Sequence, residues 1–150
     1  MNGRILIVEA GGERIALSLE QVAEVREQTV SIPLPMAPPF LGRAIIANGR
    51  LTPVLDTGLF LGRSSSYLPG RILVMAGDGV SLALQVDRIT DIVPGDTVTG
   101  EQLLVEGPFA ALLEFPCGTV PLLAPGQLLR MLERSLEGRG GEKDHENHAD

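Results

Sequence analysis

Residues 4–25 read RILIVEAGGERIALSLEQVAEV, and residues 71–92 read RILVMAGDGVSLALQVDRITDI. The two stretches align without a gap at an offset of 67 residues, and six of the aligned pairs are identical. Each stretch has an apolar run, a turn that contains glycine and a second run in which apolar residues alternate with others. This is the pattern of a β-hairpin, so the sequence predicts two equivalent hairpins.

The similarity continues beyond the hairpins. Residues 49–61 can be laid on residues 118–129 with one residue of slippage. Repetition at a fixed spacing indicates a fold built from copies of one supersecondary unit. The sequence therefore predicts two similar β units, over about residues 4–61 and 71–129, each ending in an apolar strand and a glycine turn.

Turn-forming residues favour an all-β fold. The 150-residue chain contains 11 prolines and 18 glycines, which divide it into short strands joined by tight turns. Helical periodicity is clear only in GQLLRMLERSLEG, residues 126–138, where Leu128, Leu129, Leu132 and Leu136 share one face. We therefore expect β-barrels or sandwiches followed by a short C-terminal helix.

Composition limits the classes of function. The net charge is −7 and the chain has four Phe, one Tyr and no Trp, so it lacks the basic face and the stacking side chains of nucleic-acid-binding proteins. No apolar run has membrane-spanning length and the N-terminus lacks a signal-peptide pattern, so we expect a cytoplasmic protein with no membrane insertion. Residues 137–150 hold five acids and two bases, which predicts a disordered acidic tail.

Few residues indicate metal, cofactor or thiol chemistry. Cys117 is the single cysteine of the chain, and the two histidines, His145 and His148, both lie in the acidic tail. Histidines in a disordered tail cannot orient a thiol nucleophile or form a rigid metal site. The glycine turns also lack the Lys-Ser/Thr and the helix that follow a phosphate-binding loop. We expect no cofactor and no metal.

Asp56-Thr57-Gly58 reads like the catalytic triplet of an aspartic protease. That chemistry needs two aspartates close enough to share a proton. In the repeat, Asp56 aligns with Ala124, so only a homodimeric enzyme with one aspartate per subunit remains open. The alternative is that Asp56 and Gly58 form a polar turn at the end of a buried strand.

Taken together, these segments resemble the CheW-type chemotaxis coupling proteins. The resemblance is carried by VAEVRE at residues 22–27, IPLPMAPPFLG at 32–42, NGRLTPVLD at 48–56 and VDRITDIV at 86–93. It covers about residues 3–134, and it implies a CheW-like domain over residues 1–136. The implied fold is two interleaved SH3-like five-stranded β-barrel subunits, packed side by side and related by the repeat.

The resemblance also implies a function. Members of this family are not enzymes. They bridge the cytoplasmic tips of methyl-accepting chemoreceptors to the regulatory domain of a chemotaxis histidine kinase in bacterial signal transduction. We therefore expect a non-enzymatic adaptor with no nucleic-acid partner. The homodimeric aspartic protease and an orphan β-barrel interaction module stay open as alternatives.

Matching the family motifs residue by residue implies a receptor-binding surface, whereas no kinase-binding residue is implied. The surface comprises Val22, Glu24, Val25, Arg26 and Asn48. Family members commonly read Arg-Gly-Val-Ile-Asn-Leu-Arg-Gly where this chain reads GRAIIANG at residues 42–49, so Ile46 stands at the Asn position and Asn48 replaces the second Arg. This replacement removes a charge and a forked donor. Arg43 is the candidate to supply the lost charge.

Overall fold

The structure is a computed structural model that describes residues 2–27, 30–67, 70–77 and 81–136. The predicted disordered tail, residues 137–150, lies outside the described residues. The centre of the second predicted hairpin turn also lies outside them. The first predicted hairpin turn is present, and Gly11 and Gly12 form it.

Strands predominate in the described residues. They are β1 (Arg4–Ala10), β2 (Glu13–Ser18), β3 (Val22–Arg26), β4 (Ile32–Pro33), β5 (Arg43–Ala47), β6 (Arg50–Asp56), β7 (Arg71–Met75), β8 (Ala83–Val86), β9 (Arg88–Pro94), β10 (Gly100–Leu103), β11 (Phe109–Phe115) and β12 (Gly118–Leu123). The helices are α1 (Thr57–Phe60) and α2 (125–136), with 3-10 turns at Leu19–Gln21, Pro39–Leu41 and Gly95–Thr97. The predicted all-β class with a short C-terminal helix is confirmed.

The strands form two sheets. Within the described part of the chain each sheet has six strands, one more than the five predicted. One sheet has the order β3–β7–β8–β6–β5–β4, and the other has the order β10–β11–β12–β2–β1–β9. Each sheet encloses an apolar interior, and we call them the first barrel and the second barrel.

The two repeat units exchange their first hairpins. The β1–β2 hairpin of the first unit lies in the second barrel, where β2 pairs with β12 in parallel. The β7–β8 hairpin of the second unit lies in the first barrel, where β8 pairs with β6 in parallel. Because each barrel contains strands from both units, neither unit can complete its barrel alone.

The described residues form three apolar cores. The central core lies between the sheets and includes Leu6, Val8, Ile15, Leu17, Leu55, Leu73, Leu84, Val86, Leu123, Leu128 and Leu132. The interior of the first barrel contains Ile45, Ala47, Val54, Ile72, Val74 and Ala83. The interior of the second barrel contains Ile5, Ile7, Ala16, Ala111, Leu113 and Val120. Of the predicted apolar face of α2, Leu128 and Leu132 belong to the central core and Leu129 packs against it, whereas Leu136 is 45% exposed.

The exchanged hairpins are buried on both faces. In β1, Ile5 and Ile7 face the interior of the second barrel. Leu6 and Val8, on the opposite face of the strand, belong to the central core. Successive side chains of a strand point to opposite faces, so a strand covered on both sides needs apolar residues at every position. This requirement explains the continuous apolar run that begins the first quoted stretch.

A close backbone contact holds the β1–β2 hairpin against the first barrel. Gly11, in the hairpin turn, has a φ of 58°, and its amide donates to the Ser66 hydroxyl oxygen at 3.2 Å. The Gly58 amide of α1 donates to the same oxygen at 3.3 Å. A Cβ atom on Gly58 would overlap the Ser64 carbonyl oxygen, so this contact requires glycine.

Candidate functional site

Asp56 is the N-cap of α1 and is fully buried. Its Oδ1 accepts hydrogen bonds from the backbone amides of Leu59 at 3.2 Å and Ser66 at 2.7 Å. Its Oδ2 accepts a hydrogen bond from the Ser65 hydroxyl. A side chain that accepts hydrogen bonds from the free backbone amides at the start of a helix stabilises the fold. The side chain of Asp56 therefore organises the turn that follows β6.

The position of Asp56 bears on the aspartic-protease alternative. A proton shared across a two-fold axis requires two carboxyl groups in contact, with access for a peptide. Asp56 is 0% exposed, and both of its oxygens already accept hydrogen bonds from neighbours in the same chain. This geometry supports the interpretation that Asp56 and Gly58 form a polar turn after a buried strand.

Four of the residues implied to contact a receptor lie on β3. This strand is the terminal strand of the first barrel and pairs with β7. Glu24 and Val25 are exposed, whereas Val22 and Arg26 are half-buried. Val22 packs against the central core, so part of its role is structural. The surface that β3 offers to a partner is thus formed mainly by Glu24 and Val25.

Arg26 bridges two strands of the first barrel. Its Nε donates to Oε1 of Glu24 at 2.7 Å, and its Nη1 donates to the backbone carbonyl of Ile46 in β5 at 2.8 Å. The hydrogen bond from Arg26 lowers the pKa of the Glu24 carboxyl, so this side chain stays ionised to a lower pH than usual. The hydrogen bond from Arg26 to the Ile46 carbonyl therefore links β3 to β5.

Asn48 and Gly49 form the tight turn between β5 and β6. Their φ values are 52° and 73°, and a type I′ hairpin turn requires positive φ at both central residues. Asn adopts this conformation more easily than most residues other than glycine. The turn stands beside an open cavity of about 500 Å³, which Ala23 of β3 also lines. Asn48 and Ala23 of β3 therefore lie at the same end of the first barrel.

Arg43 does not lie at this surface. It begins β5, and Asn48 follows the other end of the strand, about 16 Å away at the usual rise per residue. The Arg43 guanidinium carbon lies 4.6 Å from the centroid of the Tyr67 ring, which is a cation–π arrangement. Arg43 therefore stacks on Tyr67 at the end of β5 that lies away from Asn48.

Tyr67 gives a direct test of this packing, because it is the only tyrosine in the chain. Its hydroxyl donates to the Val54 carbonyl oxygen at 3.2 Å, and burial raises its pKa above the ordinary value. The neutral phenol is thus favoured in the folded protein, so the free energy of unfolding should fall as the pH rises through the ordinary and then the raised pKa. Absorbance titration of the phenolate should show ionisation above pH of about 10.

Titration of Tyr67 at or below the ordinary pKa would contradict this placement of the ring. The urea-unfolded chain is the control, because its tyrosine should titrate at the ordinary value. The phenolate signal has no competing contribution, since the chain has one Tyr and no Trp.

The sequence pattern does not predict two exposed apolar residues at the end of the barrel that carries Asn48. Ile46 and Leu51 are cross-strand partners in β5 and β6 and are 53% and 54% exposed. Alternation along a strand shows which residues share a face, but it does not show which face stays uncovered.

The remaining candidate groups lie elsewhere. Cys117 is exposed in the β11–β12 turn and lines an open cavity of about 330 Å³ at the equivalent end of the second barrel. Among the described residues, no cluster of three or more His, Cys, Asp or Glu side chains is placed to hold a metal ion. None of the helices in the described ranges is long and apolar enough to cross a membrane.

Comparisons with known proteins agree with this architecture. The scaffolding protein TtCheW from Thermoanaerobacter tengcongensis, a solved structure, superposes with a TM-score of 0.68 at 19% identity and covers 83% of this chain and 90% of its own. This likeness confirms the predicted SH3-like barrel fold. No curated protein matches the chain. The CheW-like domain family matches residues 4–109, which is well over half of the sequence. The chain therefore belongs to the CheW-like domain family, as its motifs predicted.

Proposed function

We propose that this chain is a non-enzymatic adaptor that couples chemoreceptors to a chemotaxis histidine kinase in the bacterial cytoplasm. The observation that carries the proposal is the CheW-like family match over residues 4–109. A fold shared with a CheW scaffolding protein supports it. The proposed partners are the regulatory domain of the kinase and the cytoplasmic tip of a methyl-accepting chemoreceptor.

The receptor-binding surface that we propose lies where β3 meets the β5–β6 turn. It consists of Glu24, Val25, Arg26 and Asn48, with Val22 behind them against the central core. Val25 offers an exposed apolar group, Glu24 and Arg26 form an ion pair, and Asn48 offers an exposed amide. A helical hairpin can lay an amphipathic face on such a surface. Arg43 is left out, because it stacks on Tyr67 at the opposite end of β5.

The alternatives are weaker on physical grounds. An aspartic protease would require the buried side chain of Asp56 to break its hydrogen bonds to all three donors before it could contact Asp56 of a second copy. An orphan barrel module would share the fold but would bind neither chemosensory partner. Binding measurements therefore separate the adaptor from the orphan module.

Isothermal titration of the purified chain against the kinase regulatory domain, and separately against a receptor-tip fragment, tests the proposal. We expect micromolar binding to the kinase domain. Replacing Glu24 and Arg26 together with alanine should weaken receptor binding while kinase binding persists, because the ion pair lies on the proposed receptor surface. Absence of binding to every chemotaxis kinase of the organism would contradict the coupling function.

A further inference from the structure

The turn between β5 and β6 contains a dipeptide that is prone to a spontaneous reaction. Its two residues are Asn48 and Gly49, and both are exposed. Asparagine is one of the thermolabile residues of proteins, because its side-chain carbonyl carbon can be attacked by the backbone nitrogen of the next residue. Glycine in that next position favours the attack, since it has no side chain to crowd the ring that forms. The reaction needs no cofactor and no partner protein.

The hairpin leaves the Gly49 nitrogen outside its ladder of hydrogen bonds. Ala47 and Arg50 are direct cross-strand partners on either side of the turn. In a two-residue hairpin turn the hydrogen bonds belong to these flanking residues and not to the two central ones. Among the turn and loop hydrogen bonds of the described residues, none is donated by the Gly49 amide. This nitrogen is therefore available as a nucleophile.

The space around the turn is open. A Cβ atom on Gly49 would meet no atom within 4 Å beyond its own chain neighbours. The side-chain hydrogen bonds nearest the turn go to the carbonyl oxygens of Ile46 and Arg50, and in the described part of the chain none holds the side-chain amide of Asn48. The Asn48 side chain can therefore fold back onto the Gly49 nitrogen, and water can reach the ring that forms.

We propose that Asn48 is a site of spontaneous deamidation. A bond forms between the Gly49 nitrogen and Cγ of Asn48, the bond from Cγ to Nδ2 breaks, and the amino group leaves as ammonia with the proton of the Gly49 amide. Water then hydrolyses the cyclic succinimide at either of its carbonyl carbons. Opening of the ring at Cγ gives aspartate, and opening at the backbone carbonyl carbon gives isoaspartate.

Either product adds a carboxylate at one end of the first barrel. Asn48 lines the open cavity of about 500 Å³ together with Arg50. Arg50 is exposed and makes no salt bridge to the residues that the structure describes. The new negative charge, added to a chain with a net charge of −7, therefore appears beside an arginine that is free to attract it. The chemistry itself does not depend on the proposed function.

The two products differ in their effect on the hairpin. Aspartate keeps the turn, because Asp-Gly is also preferred in type I′ turns. Isoaspartate adds a methylene to the main chain, so the turn loses the length that fixes the pairing of Ala47 with Arg50. Ala47 and Val54 of this hairpin belong to the interior of the first barrel. The isoaspartate form should therefore be less stable than the aspartate form.

The test is peptide mapping of the purified full chain during incubation in mildly alkaline buffer. Trypsin cleaves after lysine and arginine, so each asparagine falls in a separate peptide. Asn2 lies in residues 1–4, Asn48 in residues 44–50 and Asn147 in residues 144–150. Mass spectrometry follows the replacement of an amide by a carboxyl group in each peptide, and isoaspartate methyltransferase identifies the isoaspartate product.

We expect Asn48 to deamidate at least about tenfold faster than Asn147, because the histidine that follows Asn147 has a side chain that crowds the ring. The variant Asn48→Gly keeps a favoured Gly-Gly turn, so it should fold as the unchanged chain does and give no product in residues 44–50. The aged protein is separated by ion exchange. Its isoaspartate form should unfold at a lower temperature than the variant Asn48→Asp, which carries the other product.

The inference would be overturned if Asn48 reacted no faster than Asn147, or if it stayed intact throughout the incubation. Equal unfolding temperatures of the isoaspartate form and the Asn48→Asp variant would contradict the role assigned to the length of the turn. Circular dichroism at the start of the incubation establishes that each protein is folded. None of these measurements uses a receptor or a kinase, so this inference and the proposed function fail independently.

Discussion

Gly58→Ala should lower the free energy of unfolding by about 3 kcal/mol, a large share of the stability of a domain of this size. The added Cβ would overlap the Ser64 carbonyl oxygen, lie 2.7 Å from the Ser66 hydroxyl oxygen and lie 2.8 Å from the Gly11 nitrogen. Two of these three atoms belong to the backbone, so a side-chain movement cannot relieve the clash. Urea unfolding followed by circular dichroism measures the change.

Gly126→Ala is the matched control for this prediction. Gly126 also lies in a helix, but the nearest atom to an added Cβ is Nη1 of Arg130 at 3.8 Å. Alanine favours the helix, so this variant should be as stable as the unchanged chain or up to about 0.5 kcal/mol more stable. Equal stabilities of the Gly58 and Gly126 variants would show that the hairpin does not pack on α1 as described.

Asp56→Ala should also lower the free energy of unfolding by about 3 kcal/mol, because it removes the N-cap of α1 and leaves a buried backbone donor without an acceptor. The amides of Leu59 and Ser66 and the Ser65 hydroxyl all lose their partner. Asp56→Asn keeps one acceptor oxygen, so it should lower the free energy of unfolding by less than Asp56→Ala does. Thermal unfolding at neutral pH measures both variants.

Glu101→Ala controls for the removal of an acidic side chain. Glu101 is exposed on β10, an edge strand, so its loss should change stability by less than about 0.5 kcal/mol. The same proteins answer the protease question. Peptide hydrolysis by the unchanged chain that disappears in a folded Asp56→Asn variant would contradict a purely structural role for Asp56.

The repeat allowed the architecture to be predicted, and the family resemblance implied that the two units interleave, but the repeat itself did not show that the units exchange their first hairpins. Alignment of residues 4–25 with 71–92 shows that the two hairpins are equivalent. The alignment would be the same whichever barrel each hairpin joined. The exchange depends on whether each hairpin pairs in parallel with β6 or with β12. This is a long-range contact that the local sequence does not indicate. The continuous apolar runs did indicate that the first strand of each hairpin is covered on both faces, because such strands lack alternation of apolar and polar residues.

The candidate site was predicted less completely than the fold. Motif matching identified β3 and Asn48, and in the structure Ala23 of β3 and Asn48 line the same cavity of the first barrel. It also suggested Arg43, but a residue five positions away along an extended strand lies at the far end of that strand. The exposure of Ile46 and Leu51 depends on which face neighbouring elements leave uncovered, so one strand's sequence cannot reveal it.

The proposed adaptor function requires this one chain to join a chemoreceptor to a chemotaxis kinase. The direct measurement is co-sedimentation of the kinase with vesicles that display receptor cytoplasmic fragments, with and without the purified chain. We predict that the kinase sediments with the vesicles when the chain is present and stays in the supernatant when it is absent. Kinase that remains in the supernatant at saturating amounts of the chain would contradict the account.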